Sequence, residues 1–354
     1  MKIEFFVGEF SEGGAERVIS ILANELASRG HEVAILKYFN SINYYKTDER
    51  IKINSLEKLT GTKDKLKNIV YLHKHLRDFD GIFVSFLAPF NILALMANTG
   101  NKTPLIVADR NDPSKLPGNK YLRTLRDYLY RYADRVIVQT NKNKAYFSNK
   151  VQTKTEVIYN PLILNDMEGK ALEAKKEKII INIGRLEPQK NQDMLIDTFK
   201  LFHEKHPEYK LFIYGEGSYR KELESRVDSL KLNDCVHLPG NVKDIFERLC
   251  ACEFFVLSSN YEGMPNALIE AMGLGVPVIS TKVSGATDLV KDGIDGLLID
   301  LNDSDSLLDS MIKLAESEEL RRNLSQEAVK IVSMLNSKNI CDIWERAISD
   351  VLRK

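Results

Sequence analysis

Two carboxylates eight positions apart carry the strongest chemical signal in the chain. They bracket the segment Glu262-Gly263-Met264-Pro265-Asn266-Ala267-Leu268-Ile269-Glu270. It follows an apolar run, Phe254–Leu257, and leads into a helical pattern. A helix beginning near Asn266 leaves Glu262 in the preceding loop and sets Glu270 about one turn in, so both can line one ligand. A carboxylate is a bidentate partner for vicinal hydroxyls, as on a ribose or a hexose. The N–H groups of Gly263 to Leu268 then face phosphate. Taken alone, Glu270 suits a solvated helix position equally well.

A second turn, Gly184-Arg185-Leu186-Glu187-Pro188-Gln189-Lys190-Asn191, places two cations, Arg185 and Lys190, at a helix mouth. That is chemistry for a diphosphate whose leaving-group charge must be stabilised. The segment lacks the Gly-Lys-Ser/Thr of a P-loop, which speaks against an ATPase. A third turn, Ser11-Glu12-Gly13-Gly14-Ala15-Glu16-Arg17, opens another helix. Paired glycines let backbone approach a ligand; a tight strand-to-helix turn would look the same.

The elements that must position these turns alternate between β-rich runs and helical patterns, which predicts parallel sheets covered by helices. Strands are expected at Lys2–Val7, Glu32–Lys37, Ile82–Leu87, Pro104–Ala108 and Arg135–Gln139. A polar segment, 161–177, reads as a linker. The pattern restarts with strands at Lys178–Ile183, Lys210–Tyr214, Phe254–Leu257, Val278–Ser280 and Gly296–Ile299, with a helix over Gln192–His206. Two doubly wound units in series place a cleft between them, and such sheets bind ligands at their carboxyl ends. A last helix, Ile340–Leu352, could return to the first unit.

The 354 residues are ample for two domains, and 44% apolar with 28% charged is a globular balance. The net charge is zero but uneven: residues 1–160 carry 25 Lys and Arg against 17 Asp and Glu, and the remainder 25 against 33. A basic first half suits an anionic partner; no nucleic-acid motif accompanies it. Cys235, Cys250, Cys252 and Cys341 have no zinc spacing and read as reduced thiols of a cytosolic protein. The opening apolar run is too short for a secretory signal, and the stretch Ile82 to Ala97 is too short and interrupted to span a bilayer. Asp303-Ser304-Asp305 reads as a helix cap rather than a metal site.

In their order and placement, Gly13–Arg17, Gly184-Arg185 with Lys190-Asn191, the Glu262 to Glu270 segment and Asp292–Leu298 resemble glycosyltransferase family 4, and the likeness runs over nearly the whole chain. The resemblance implies a GT-B fold: two Rossmann-like doubly wound α/β domains facing a central cleft. Residues 1–160 would bind the acceptor, joined by 337–354, and 161–336 the nucleotide sugar. It implies that Arg185 and Lys190 grip the donor diphosphate, that Glu270 holds the ribose and Glu262 the donor sugar, and that Gly14 approaches the diphosphate. Gly184, Gly263, Met264, Pro265, Asn266, Ala267 and Leu268 complete the donor contacts, with Gly215, Glu216 and Val242 near the base. It further implies retention of configuration through front-face substitution, with no cofactor and no metal.

One position departs from the family pattern. A histidine common after a strand of the first domain is replaced here by Asp109-Arg110-Asn111-Asp112-Pro113. Arg110, with Asp109 or Asn111, is the expected substitute. The following segment, Lys115 to Arg135, interleaves cations with aromatics. At helical spacing Arg123 and Arg126 share a face, with Lys120 nearby, which suits an anionic membrane surface or a lipid-linked diphosphate; a helix packed with a solvated basic face is the alternative. The chain also resembles bacterial enzymes that add GalNAc to undecaprenyl-diphosphate-linked glycans. That likeness implies acceptor contacts at Lys120, Arg123 and Arg126. It also implies a UDP-sugar donor, a lipid-linked or polysaccharide acceptor, and a cytoplasmic location at the inner membrane face. A nucleotide-sugar 2-epimerase and a non-catalytic binding subunit are the rival readings.

Overall fold

The computed structural model describes residues 1–10, 13–164 and 166–353. Ser11 and Glu12, part of the glycine turn before Ala15, lie outside the described residues. The chain divides into two compact units, Met1–Pro161 with Leu335–Lys354, and Leu162–Met334.

The first unit is a seven-stranded sheet in the order β3-β2-β1-β4-β5-β6-β7. Its strands are β1 (Lys2–Val7), β2 (Glu32–Lys37), β3 (Lys52–Ser55), β4 (Ile82–Phe86), β5 (Leu105–Ala108), β6 (Arg135–Val138) and β7 (Thr155–Val157). Every pairing is parallel. The central strands are buried on both faces, β4 along its whole length, as a sheet sandwiched between helices requires. The helix Gly14–Ser28 presents Val18, Ile19, Leu22, Ala23 and Leu26 as one buried stripe.

The second unit repeats the plan with six strands in the order β10-β9-β8-β11-β12-β13. They are β8 (Ile179–Ile183), β9 (Lys210–Tyr214), β10 (Val236–Gly240), β11 (Phe254–Leu257), β12 (Val278–Thr281) and β13 (Leu297–Ile299). All pair in parallel. Its core gathers Phe199, Phe202, Tyr209 and Phe254. Three edge strands, β3, β7 and β10, have no counterpart in the strands expected from sequence. β3 carries a single buried residue, and β10 contains Pro239, tolerable only where a ladder bond is not needed.

The segment expected to be a linker is packed. Leu162, Leu164 and Ala171 are buried, and Gly169 N–H donates to Gly273 O at 3.0 Å. Gly273 makes room for this: a Cβ there would sit 2.7 Å from Leu162 Cδ2 and 2.8 Å from Leu164 Cδ1. A few leucines among charged residues were enough to anchor it. The last helix, Ser337–Leu352, packs on the first unit. Arg29 reaches Asp342 at 2.5 Å and Glu345 at 2.6 Å, and the fully buried Trp344 stacks on Phe86 with ring centroids 5.6 Å apart.

His75 Nε2 and Glu4 Oε2 meet at 2.5 Å in the first unit. That hydrogen bond raises the His75 pKa above its ordinary value, against the opposing effect of burial. A raised folded-state pKa means that the pair's stabilisation is complete below the unfolded value, about pH 6.5, and fades as pH rises through the folded value. Urea unfolding midpoints of wild type should therefore fall between about pH 6 and pH 9 more steeply than those of Glu4→Gln. Parallel profiles for the two proteins would refute this.

Candidate active site

In the second unit the strand order reverses between β8 and β11, and the loops leaving those two strands carry the chemistry. β8 runs into Gly184 and Arg185; β11 runs into Ser258 through Glu262. The two loops are laced together. Asn260 N–H donates to Gln189 O at 2.8 Å, Gln189 Nε2 to Tyr261 O at 2.8 Å, and Ser258 Oγ to Lys190 O at 2.9 Å. Lys190 Nζ then meets Glu262 Oε1 at 2.5 Å, and Ser259 Oγ donates to the same oxygen at 2.8 Å. A cation and a carboxylate 72 positions apart in sequence are thus fixed side by side. Glu262 and Glu270 are both buried, and Arg185 is exposed.

The neighbouring strand ends extend the constellation. Gly215, with φ at +136°, lies so close to the β8 loop that a Cβ would come within 2.0 Å of Gly184 O. Only glycine fits there. Gly215 N–H donates to Gly240 O at 3.1 Å, which sets the turn at Gly215 and Glu216 beside the segment leading to Val242. The Glu216 carboxylate is held by Arg220 at 2.7 Å, which keeps its pKa below the ordinary carboxylate value. Helix Asn266–Leu274 follows Gly263, Met264 and Pro265, with Ala267 and Leu268 in its first turn and Glu270 beyond them. Gly285 closes against this loop: a Cβ there would lie 2.6 Å from Gly263 O. Ser258, Ser259 and Gly285 were not singled out in the sequence. The hydroxyl pair after a strand was the available signal, whereas Gly285 gave none.

In the first unit Gly13 is the N-cap residue of helix Gly14–Ser28, and its carbonyl accepts from Tyr45 Oη at 3.0 Å. After β5, Asp109 and Arg110 are both buried. Asn111 O accepts from Asn143 Nδ2 at 3.0 Å. Leu87, just after β4, holds φ at +72°, an uncommon conformation for a branched residue, pinned by its N–H to Ala108 O at 3.0 Å. It was not foreseen from sequence either.

The expected basic face of Lys120, Arg123 and Arg126 does not exist as such. Helix Lys120–Leu129 turns its arginines inward and its aromatics outward. Arg126 is fully buried; it donates to Leu116 O at 2.6 Å and Pro113 O at 2.8 Å, and lies 3.6 Å from Asp109 Oδ2. Arg123 Nη1 is committed to the carbonyls of Pro117 and Gly118, both at 2.9 Å. Lys120 is exposed. The reason is local: the loop 113–118 offers carbonyls that need donors, and the buried Asp109 needs a cation. Burial raises the Asp109 pKa, with Arg126 working in the opposite direction. Removing Arg126 leaves that carboxylate uncompensated, so Arg126→Met should cost about 3–5 kcal/mol in denaturant unfolding, while Asp109→Asn in the same chain recovers part of the loss. A near-neutral single variant would contradict the assignment.

Two family models match the chain: "Glycosyltransferase Family 4" over residues 12–165 and "Glycosyl transferases group 1" over 165–331. A relative from Campylobacter jejuni, a GalNAc-alpha-(1->4)-GalNAc-alpha-(1->3)-diNAcBac-PP-undecaprenol alpha-1,4-N-acetyl-D-galactosaminyltransferase, is 32% identical over 99% of this chain and 99% of its own length. A second from the same organism, an N-acetylgalactosamine-N,N'-diacetylbacillosaminyl-diphospho-undecaprenol 4-alpha-N-acetylgalactosaminyltransferase, is 30% identical over 92% and 93%. Among solved structures, Anabaena HepE in complex with UDP and glucose superposes with a TM-score of 0.85 at 20% identity, covering 99% of both chains. Staphylococcus aureus TarM in complex with UDP and alpha-GlcNAc-glycerol gives 0.83 at 16%, covering 98% and 99%. With two doubly wound parallel sheets and full-length likeness to named transferases, the chain belongs to the GT-B glycosyltransferases of family 4.

Proposed function

We propose that this transferase moves an N-acetylhexosamine such as GalNAc, or a hexose, from a UDP-sugar to a lipid-linked or surface glycan, with retention and without a metal. The observation that carries the reading is the Lys190–Glu262 pair, locked by the lacing of two loops at the switch point of the second unit. Lys190 and Arg185 take the charge that develops on the departing diphosphate, the largest single contribution expected from such groups. Glu262, held by Ser259, accepts a hydroxyl of the donor sugar. Glu270 accepts the ribose hydroxyls, and the turn at Gly215 and Glu216 with Val242 borders the base. The glycosidic bond to the diphosphate breaks as the acceptor oxygen bonds to the same face of the anomeric carbon, and the acceptor proton passes to the departing phosphate. Both Campylobacter relatives are named for undecaprenol-linked acceptors, which supports that acceptor class here.

An inner-leaflet membrane surface is the proposed partner. The outward face of helix Lys120–Leu129 supports it: Tyr121 is 79% exposed, Leu125 37% and Tyr128 48%, with Tyr132 at 61% continuing the stripe and Lys120 beside it. Aromatics and cations together suit an anionic interface. No helix among the described residues is long and apolar enough to cross a bilayer.

A donor screen tests the reaction. UDP release from one of UDP-GalNAc, UDP-GlcNAc, UDP-Gal or UDP-Glc, dependent on an undecaprenyl-diphosphate-linked glycan and unchanged by EDTA, is the expected result. Arg185→Ala and Glu270→Gln should each lower kcat/KM by about 10²–10³; full turnover in either removes the site assignment. Tyr121→Ser with Tyr128→Ser should reduce sedimentation with vesicles containing anionic lipid while leaving turnover of a water-soluble acceptor intact. Equal sedimentation would refute the membrane assignment.

A further inference from the structure

Arg110 is a buried cation of the first unit that makes no ion pair among the described residues. Arg110 has 6% of its surface exposed. Its Nη2 donates to Asn160 Oδ1, whereas Nε and Nη1 meet no acceptor among the described residues. Its neighbour Asp109 does not neutralise it directly: Asp109 Oδ2 accepts from Tyr130 Oη at 3.1 Å and lies 3.6 Å from Arg126. Arg126 already claims that carboxylate. Burial pushes the Arg110 pKa down to about 9, with only the distant help of Asp109 opposing it. Ordinarily a buried guanidinium is paired, because an unpaired one forfeits its hydration.

The surroundings are built rather than accidental. The guanidinium lies over the Phe86 ring, 5.7 Å from its centroid, and Phe86 is backed by Trp344 of the last helix. Gln139, just after β6, donates from Nε2 to the same Asn160 Oδ1 at 2.8 Å, and its own Oε1 has no partner among the described residues. Asp109 Oδ1 is likewise unpartnered. Unpaired cationic donors beside unpaired acceptors match a ligand that carries an anion and a hydroxyl together. A glycosyl phosphate is such a group, and a guanidinium fork is suited to it.

We propose that Arg110, oriented by Asn160, Gln139 and Phe86, is an anion-binding subsite for the phosphate of a glycosyl phosphate. The proposal rests on the transferase reading, which supplies two sources of that chemistry: the sugar diphosphate of the donor and the lipid diphosphate of the acceptor.

Calorimetry on the full chain separates them. With UDP saturating, inorganic pyrophosphate and N-acetylglucosamine 1-phosphate are titrated into wild type, Arg110→Gln, Arg110→Lys and Asn160→Asp, each checked for folding by circular dichroism. Binding in the presence of UDP that weakens about tenfold or more in Arg110→Gln, and less in Arg110→Lys, places the anion on the acceptor side. No second binding event, but a similar loss of UDP affinity in Arg110→Gln, places it on the donor side. Asn160→Asp sets a carboxylate against Nη2, so it should raise the melting temperature while weakening the same anion, and it carries the test if Arg110→Gln fails to fold. Pyrophosphate and UDP affinities unchanged in the folded variants overturn the proposal. Anion binding that depends on Arg110 in a wild-type protein that transfers no sugar would sink the transferase reading and leave the subsite standing.

Discussion

The short hydrogen bonds between the loop after β8 and the loop after β11 are the constraint on which the rest of the second unit depends. Each loop alone is a surface turn with free backbone groups. Together they satisfy one another: Asn260 N–H donates to Gln189 O, Gln189 Nε2 donates to Tyr261 O, Ser258 Oγ donates to Lys190 O, and Ser259 orients Glu262. The parallel sheet makes this possible, since β8 and β11 are adjacent although 70 residues of chain separate Ile183 from Phe254. A site built this way needs no ligand to hold its shape. Lys190 and Glu262 meet as an ion pair in the resting protein, and in the proposed reaction a donor that brings its own charge and hydroxyls exchanges for that pair.

The first unit handles charge differently. Its cations are drawn inward, Arg126 to Asp109 and the 113–118 carbonyls, Arg110 to a neutral amide. One is fully compensated and one is not. Truncating the compensated pair disturbs stability, whereas the uncompensated arginine is a cost the fold carries unless a ligand offsets it. The inward turn of the arginines also leaves Tyr121, Leu125 and Tyr128 on the outside of the same helix. A helix read as basic is therefore aromatic on its accessible face.

The last helix joins these features. Ser337–Leu352 is remote in sequence from β4, yet Trp344 stacks on Phe86, and Phe86 lies beneath Arg110. Arg29 fixes the other end of the contact through Asp342 and Glu345. The chain thus closes the first unit with a segment that also backs the proposed subsite at Arg110.

The sequence by itself determined the order of the central strands and the placing of the glycine turns between them, because alternation of short apolar runs with 3.6-period patterns is a local property. The places of Gly184, Lys190, Glu262 and Glu270 beside or just after strand-to-helix turns were legible for the same reason: such turns announce themselves by residue type and spacing. Tertiary structure alone decided which way the helix Lys120–Leu129 faces, since the periodicity places Arg123 and Arg126 on one side but does not say whether that side meets water or the 113–118 loop. It decided that 161–177 is anchored, because Leu162 and Leu164 find their partner at Gly273, over a hundred residues away. It decided the roles of Ser258, Ser259 and Gly285, whose partners come from distant loops. The edge strands β3, β7 and β10 escaped for a related reason: burial on at most one face leaves too little apolar pattern to read. Local chemistry is written in residue order, whereas pairing across the sheet depends on which strands become neighbours.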